Sequence, residues 1–414
     1  MRFQKIELKK GIKVNNIFTP YITLSSFTTM STIIDTNTIP TSVNRREIEY
    51  KEMKFVILNS DTHTSNDTTP EDGLYRSVIM DDNNKLLCVA PFGSKNLQDF
   101  MSEHPCVKSS EYLVTPVIEG TMLNVFYDSR LGSWIMTTRK VIGANNTFYQ
   151  SSTEKHENPT FYQMFCETLG ISDTTLDTFP LFANSPKDYV YSFVLQHPLN
   201  HIVLNLEDPA LYLVQVLRIE GNNVENIELE SMKETLISYN TCIIVPYVYD
   251  SDYDEMYEMF KTRDTFPGFM VTHKNSNVRT CVENPKYMYL KELRGNNPNL
   301  LYHYFALMKI NRIQEFLHYF PKYIKMFNEF SKQCAHFVKH IHDSYILYYI
   351  QKRGKEVQIP KHIFSHICKL HLNIYLPSKA TETPIIITKK VVKDYFDNML
   401  PKEQFYYLMS SLKP

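Results

Sequence analysis

Tryptophan is almost absent from this chain, with one residue in 414 against 28 Tyr and 25 Phe. Paired cysteines are absent too. The seven cysteines (Cys88, Cys106, Cys166, Cys242, Cys281, Cys334 and Cys368) are scattered, odd in number and form no CxxC pair. That pattern argues against a disulfide framework and for free thiols in a reducing compartment. No uninterrupted apolar run reaches the roughly 18 residues of a membrane-spanning helix. The charged start, MRFQKIELKKGIK, has no apolar stretch behind it and does not read as a signal peptide. There is no internal repeat and no low-complexity tract. These absences leave a folded cytosolic protein, without membrane contact, as the expectation.

What is present points to two domains. The length is ample for that and for a sizeable core, and the apolar content of 43% is that of a globular chain. The formal net charge of −1 conceals an asymmetry. From residue 291 onward there are 19 Lys and Arg against 9 Asp and Glu, a net of +10; the rest carries 25 against 36, a net of −11. Opposite signs suggest different electrostatic roles. The basic part either holds phosphates or docks on the acidic part.

Residues 1–50, rich in Ser, Thr and β-branched side chains, form an N-terminal segment with no assigned structure. From KFVILNS (54–60) onward short β-like runs recur: YRSVIMD, KLLCVAP, YLVTPVIEG, MLNVFYD and SWIMTTRKVI. They end at turn signals such as DDNN, DSRLGS and GANN. TFYQMFCETLG (160–170) has helical spacing, with Phe161, Met164, Phe165 and Leu169 on one side and Gly170 as the stop. Strands resume at YVYSFVLQ, HIVLNL, LYLVQVLRI, TCIIVPYV and GFMVTHK. The order predicts an antiparallel α+β domain over 51–296. After ELRGNNPNLL the period changes. Over 319–352, Phe320, Tyr323, Ile324, Phe327, Phe330, Phe337, Val338, Ile341, Tyr345, Tyr348 and Tyr349 recur at i+3, i+4 and i+7, with Pro321 in the first turn. This predicts one amphipathic helix on the order of 45 Å long at 1.5 Å per residue. Further helical runs at 359–376, 387–399 and 401–412 make 297–414 a basic all-α domain.

Six segments carry a resemblance: LYRSVIMDDNNKLLCVAPFGSKNLQDF with Arg76, VIEGTMLNVF with Glu119-Gly120, SWIMTTRKVIG with Arg139, YSFVLQHPLNHIVLNLEDPALYLVQV with Asn200, PGFMV with Gly268, and RTCVENPKYMYLKELRGN. In order and spacing they resemble the motifs of the phage-type (type one) RNA ligases, lysine-dependent nucleotidyltransferases, over about residues 70–296. In detail they are most similar to ligase-like proteins of large nucleocytoplasmic DNA viruses, a likeness that extends through the tail to 414. The resemblance implies a ligase-type nucleotidyltransferase core of antiparallel sheets, then a C-terminal all-α domain. It also implies RNA as substrate class, with ATP and Mg²⁺ as cofactors of an active member.

The residues that would do the chemistry are missing. A ligase lysine attacks the α-phosphate of ATP through its amine lone pair; Val117 stands at that position. Ser192 replaces a carboxylate that would hold ribose or metal, and Pro267 replaces another. Cys281 and Glu283 replace two lysines that would neutralise phosphate charge. The resemblance leaves Arg76, Glu119 and Arg139 as residues facing a vestigial nucleotide cleft. Lys95 and Lys140 are the candidates for a relocated nucleophile.

Other constellations are weaker. His336 and His340, with Cys334, and His362 and His366, with Cys368 and His371, have i, i+4 spacing but match no standard four-ligand zinc pattern, so no metal site is assigned. Asp250, Asp252 and Asp254 begin like a calcium loop, yet Glu255 and Lys261 stand at the sixth and twelfth positions; an acidic helix start is the better fit. Lys322, Lys325, Lys332, Lys339, Lys352, Arg353 and Lys355, near Tyr345, Tyr348 and Tyr349, form a candidate single-stranded nucleic-acid surface. The alternative is that the tyrosines are core and the lysines a solvated face. The leading expectation is a catalytically inactive RNA-ligase-like viral scaffold binding RNA or a viral protein, in the host cytoplasm (the viral factory) or the virion, with no cofactor. The competitors are an active ATP-dependent RNA ligase with a relocated nucleophile and a structural virion component.

Overall fold

The computed structural model describes residues 31–36, 38–60, 70–147, 159–171, 176–239, 242–354 and 358–412. The run YVYSFVLQ forms strand Tyr189–Gln196, the middle of a seven-stranded sheet. It suits that place because both faces are apolar: Tyr191, Phe193 and Leu195 on one, Val190 and Val194 on the other. Strands Thr121–Asp128 and Ala210–Glu220 flank it, antiparallel. Ser133–Thr137 lies beyond the first, and Asn223–Ile227 and then Thr32–Ile33 lie beyond the second. Ile243–Ile244 pairs in parallel with Leu211 and Tyr212, one departure from the antiparallel expectation.

Helices Phe161–Leu169 and Leu229–Ser238 cover one face of this sheet, burying Phe161, Met164, Phe165, Met232 and Leu236 against Phe193 and Leu195. The first helix has the start and stop that its sequence announces: a capping box at Thr160 and Gly170 in the left-handed region at φ 67°. The lone tryptophan is buried here, with Trp134 Nε1 donating to the Phe182 carbonyl at 2.9 Å. A four-stranded sheet covers the other face: Val43–Tyr50, Met53–Ser60, Val78–Asp81 and Leu86–Val89. Its first two strands form a hairpin that turns at Lys51 and Glu52, so part of the unassigned N-terminal segment belongs to this core. A three-stranded sheet, Tyr112–Pro116, Gly268–His273 and Arg279–Glu283, packs on helices Leu97–Glu103 and Tyr253–Phe260. Asp252 caps the latter helix through a capping box with Glu255, in keeping with an acidic helix start.

From Pro285 the described chain is helical, in Pro285–Arg294, Leu300–Lys309, Ile313–Tyr319, Ile324–Tyr345, Lys361–Leu370, Lys389–Asp397 and Pro401–Leu412. They close over one core that includes Phe305, Phe316, Phe337, Ile341, Ile367 and Phe396. The protein is therefore α+β, with antiparallel sheets followed by a C-terminal helical region. Several details differ from the sequence reading. The helix expected over 319–352 begins as a 3₁₀ turn at Pro321–Tyr323 and ends as a π-helical turn at Ile346–Ile350. Three helices between 285 and 319 precede it. HIVLNL is not a strand, because the amides of Ile202, Val203 and Leu204 donate to a side chain instead of a sheet. TCIIVPYV contributes only the two-residue strand Ile243–Ile244.

Candidate functional site

A cavity of about 710 Å³ has walls from both the three-stranded and the seven-stranded sheet. Strand pairing explains which residues meet there. Phe269 sits opposite Pro116 and also opposite Val282; Gly268 sits opposite Glu283, and Met270 opposite Cys281. Val117 follows at the end of its strand and donates its N–H to the Gly268 carbonyl at 2.8 Å. The ladder thus places Val117, Pro267, Cys281 and Glu283 on one wall, though they are far apart in sequence. Two glycines permit the close approach. A Cβ on Gly120 (φ 155°) would lie 2.4 Å from the Leu195 carbonyl, and one on Gly268 (φ 145°) would lie 2.3 Å from that of Val282.

Arg76 and Glu119 line the cavity; Ser192 and Arg139 do not. Ser192 is fully buried inside the sheet, its hydroxyl donating to Asn124 Oδ1 at 2.8 Å. The Arg139 guanidinium donates to the Ser60 carbonyl, and its Nε to the Arg76 carbonyl at 3.3 Å, so it braces the loop that carries Arg76. Asn200 holds a turn, bonding Thr121 Oγ1 at 2.7 Å.

Glu119 faces the cavity, but its carboxylate is fully engaged. It accepts the backbone N–H groups of Ile202 (2.7 Å), Val203 (3.0 Å) and Leu204 (3.2 Å) and the Tyr287 hydroxyl (2.7 Å). A carboxylate offers about four lone-pair directions, and four donors fill them. Burial, then the Glu119 charge, pushes the Tyr287 phenol far up, so it stays a donor. The expected ligand contact at Glu119 is instead a clasp on the 202–204 loop.

The sequence reading missed three cations in the cavity wall: Lys274, Arg279 and Lys291. Arg279 was legible in principle. It lies two residues before Cys281 and four before Glu283, hence on the same strand face. Burial, and after it the charge of Arg76, lowers its guanidinium to about 9. Burial, then Arg139, lowers that of Arg76. The Cys281 thiol is raised to about 12 by burial and next by Glu283, so it is not a thiolate nucleophile near neutrality. Lys95 is outside the cavity and pairs with Glu103 at 2.5 Å; Lys140 is exposed and also outside it.

The basic residues of the helical region are dispersed. Lys322 meets His201 through its ammonium. Lys325, Lys332 and Lys339 are exposed along Ile324–Tyr345, with Lys332 3.7 Å from Glu329. Lys352 and Arg353 are exposed at the end of that helix, and Lys355 lies outside the described residues. Tyr345 is buried, and the Tyr349 ring stacks on His371 at 3.8 Å, so these tyrosines belong to the core rather than to a stacking platform. His366 is buried against Tyr395. Among the described residues no group of three His, Cys, Asp or Glu side chains is arranged to hold a metal, and no described helix is long and apolar enough to cross a membrane.

No protein-family model matches the chain, and no curated protein matches it. Solved structures do. An archaeal ATP-dependent RNA ligase (form 1) aligns at 14% identity and a TM-score of 0.40, covering 66% of this chain; the chain spans 65% of that protein. A putative ATP-dependent DNA ligase from Aquifex aeolicus aligns at 12% identity and a TM-score of 0.40, over 80% of this chain and 74% of the ligase. A mutant RNA ligase from Naegleria gruberi, with ATP and Mn, aligns at 10% identity and a TM-score of 0.33, over 50% of this chain and 58% of the other.

Proposed function

We propose that this chain is an RNA-ligase-like protein without ligase chemistry that serves as a scaffold for RNA or a protein partner. The observation that carries the reading is Val117. It lies in the cavity wall where the resemblance calls for lysine, and an isopropyl group has no lone pair with which to attack phosphorus. The other losses point the same way. Ser192 is sealed in the sheet, Pro267 has no carboxylate, and Cys281 and Glu283 supply no cation to a triphosphate. The cavity offers few free carboxylates to a Mg²⁺ ion. Of the acids lining it, Glu119 is fully engaged and Glu230 is paired with Lys233 at 2.6 Å, which leaves Glu228 and Glu283. The basic helical region is the surface offered to RNA, and the likeness to proteins of large DNA viruses supports a place in the viral factory or the virion.

A second reading, a working ATP-dependent RNA ligase or nucleotidyltransferase, has one observation in its favour. Lys274 and Lys291 line the same cavity, and among the described residues neither is in an ion pair. Incubation with α-labelled ATP and Mg²⁺ or Mn²⁺, then denaturing electrophoresis, separates the two. The scaffold gives no labelled band. A band that disappears in Lys274→Ala or Lys291→Ala would replace the first reading by the second. A purely structural virion component would give no band and no RNA binding.

A further inference from the structure

Among the described residues, no strand pairs with one edge of the four-stranded sheet. That edge is Val43–Tyr50, eight residues long, with Asn44, Arg45, Arg46, Glu47 and Glu49 exposed. The opposite edge, Leu86–Val89, is largely buried. The hairpin fixes which backbone groups face outward. It turns on two residues, Lys51 and Glu52, both at positive φ (49° and 64°), and closes on the pair Tyr50–Met53. Such a turn bonds residue i to residue i+3, so Tyr50 bonds inward. Bonding alternates along an antiparallel strand. Ile48, Arg46 and Asn44 therefore bond inward too, whereas Glu49, Glu47 and Arg45 point their N–H and C=O groups away from the sheet. Val43, next in that series, donates its N–H to the Pro40 carbonyl at 3.0 Å, outside the sheet, in keeping with this alternation. Among the described residues, Arg45, Glu47 and Glu49 are in no ion pair.

We propose that this edge pairs antiparallel with the same edge of a second copy of the chain, about a two-fold axis at Glu47, joining the two four-stranded sheets into one. Ladder bonds form only where outward-facing residues oppose each other. About Glu47, Arg45 of each copy lies opposite Glu49 of the other, and the two Glu47 residues lie opposite each other. All three outward-facing residues of both copies are then bonded. Opposite charges directly across a ladder stabilise it; the Glu47 pair is the one like-charge contact on that face, and each Glu47 is also diagonal to an Arg45. Charge on an edge ordinarily blocks pairing, because a foreign strand leaves it unmatched. Here the two-fold axis turns the same charges into partners, since the strand read in reverse presents acid where it presented base. That favours a second copy over an unrelated extended segment. A contact of this kind uses the same patch on both chains, so it closes on itself and stops at a dimer. The inference is independent of whether the chain has ligase chemistry.

The test is sedimentation equilibrium of the full chain over a micromolar concentration series, at low and high salt. A monomer–dimer equilibrium is expected, weaker at high salt. Arg45→Glu sets two like-charge pairs in place of two matched ones and should weaken the dimer about tenfold or more. Adding Glu49→Arg to that variant re-forms the matched pairs and should restore the wild-type constant. Glu47→Gln removes the like-charge contact at the axis and should tighten the dimer. Glu47→Pro deletes an outward N–H without touching the hairpin's own ladder, so it should abolish the dimer and leave the far-ultraviolet circular dichroism unchanged. If Glu47→Pro does not fold, the charge reversal and its rescue decide alone. A wild type that is monomeric throughout overturns the proposal. So does a dimer indifferent to Arg45→Glu, one loosened by Glu47→Gln, or a double variant no tighter than Arg45→Glu alone.

Discussion

At the scale of single residues, Glu119 shows how a carboxylate in a cavity wall can be occupied by the fold itself. Its carboxylate binds three amides of an irregular loop and a buried phenol. The loop has no sheet to satisfy those amides, so its path depends on that one side chain. Glu119→Ala should therefore destabilise the protein by about 3 kcal/mol or more, since charge-assisted bonds contribute about 1.5–3 kcal/mol each and the orphaned donors stay buried. Tyr287→Phe removes one donor only and should cost about 1–2 kcal/mol. Denaturant unfolding measures both; a Glu119→Ala protein as stable as wild type would refute the clasp. Gly120 and Gly268 likewise have a backbone reason to be glycine, because a side chain at either would meet a neighbouring carbonyl.

At the scale of elements, the helical region carries two buried histidines kept neutral by packing. His303, on Leu300–Lys309, is lowered to about 4 by burial and then by Arg294; its Nε2 lies 3.2 Å from the Leu293 carbonyl. His366, on Lys361–Leu370, is also lowered to about 4, by burial and then by Lys369 and His362. The ordinary value is near 6.5. Between pH 6.5 and 4 the unfolded chain binds these protons and the folded chain does not. Stability is therefore full above pH 6.5 and falls as pH drops toward 4, by roughly 3 kcal/mol per histidine. Helical circular dichroism during denaturant unfolding at pH 7 and pH 5 should show the loss. His303→Gln with His366→Gln should flatten it, and an unchanged pH dependence in that pair would rule the histidines out.

At the scale of the whole molecule, the loop clasped by Glu119 joins the cavity to the helical region. Val203 packs against the helical core, Lys322 meets His201, and Tyr287 lies on the first of the helices. Lys322 is thus spent partly on docking, which was one of the two roles open to the basic segment. Of the candidate nucleic-acid surface, the other described cations, Lys325, Lys332, Lys339, Lys352 and Arg353, are exposed and spread along and beyond one helix. If they contact RNA, affinity should fall steeply with salt, with a slope near −0.7 per phosphate neutralised on a single strand. Changing all five to Gln should flatten that slope. Filter binding across a salt series measures it, and a slope indifferent to the substitutions would remove RNA from the list of partners at this surface.

Most of the strands, the Thr160–Gly170 helix, the acidic helix start at Asp252, the helical tail and a valine at position 117 were written locally, in alternation, helical spacing, capping residues and one side chain's identity. Which residues share the cavity was not local. Glu119 and Tyr287 are 168 positions apart, and Arg76, just before strand Val78–Asp81, lines the same cavity as Arg279 although the two belong to different sheets. HIVLNL reads as a strand because alternation records side chains, not where the amides bond; Glu119 took those amides. Arg139 has the same charge as Arg76 and lies next to it, yet a carbonyl of the four-stranded sheet holds it away from the cavity. Sequence periodicity sets which elements form, since it acts over a few residues. Convergence of charge is set by pairing and layering, which act over hundreds.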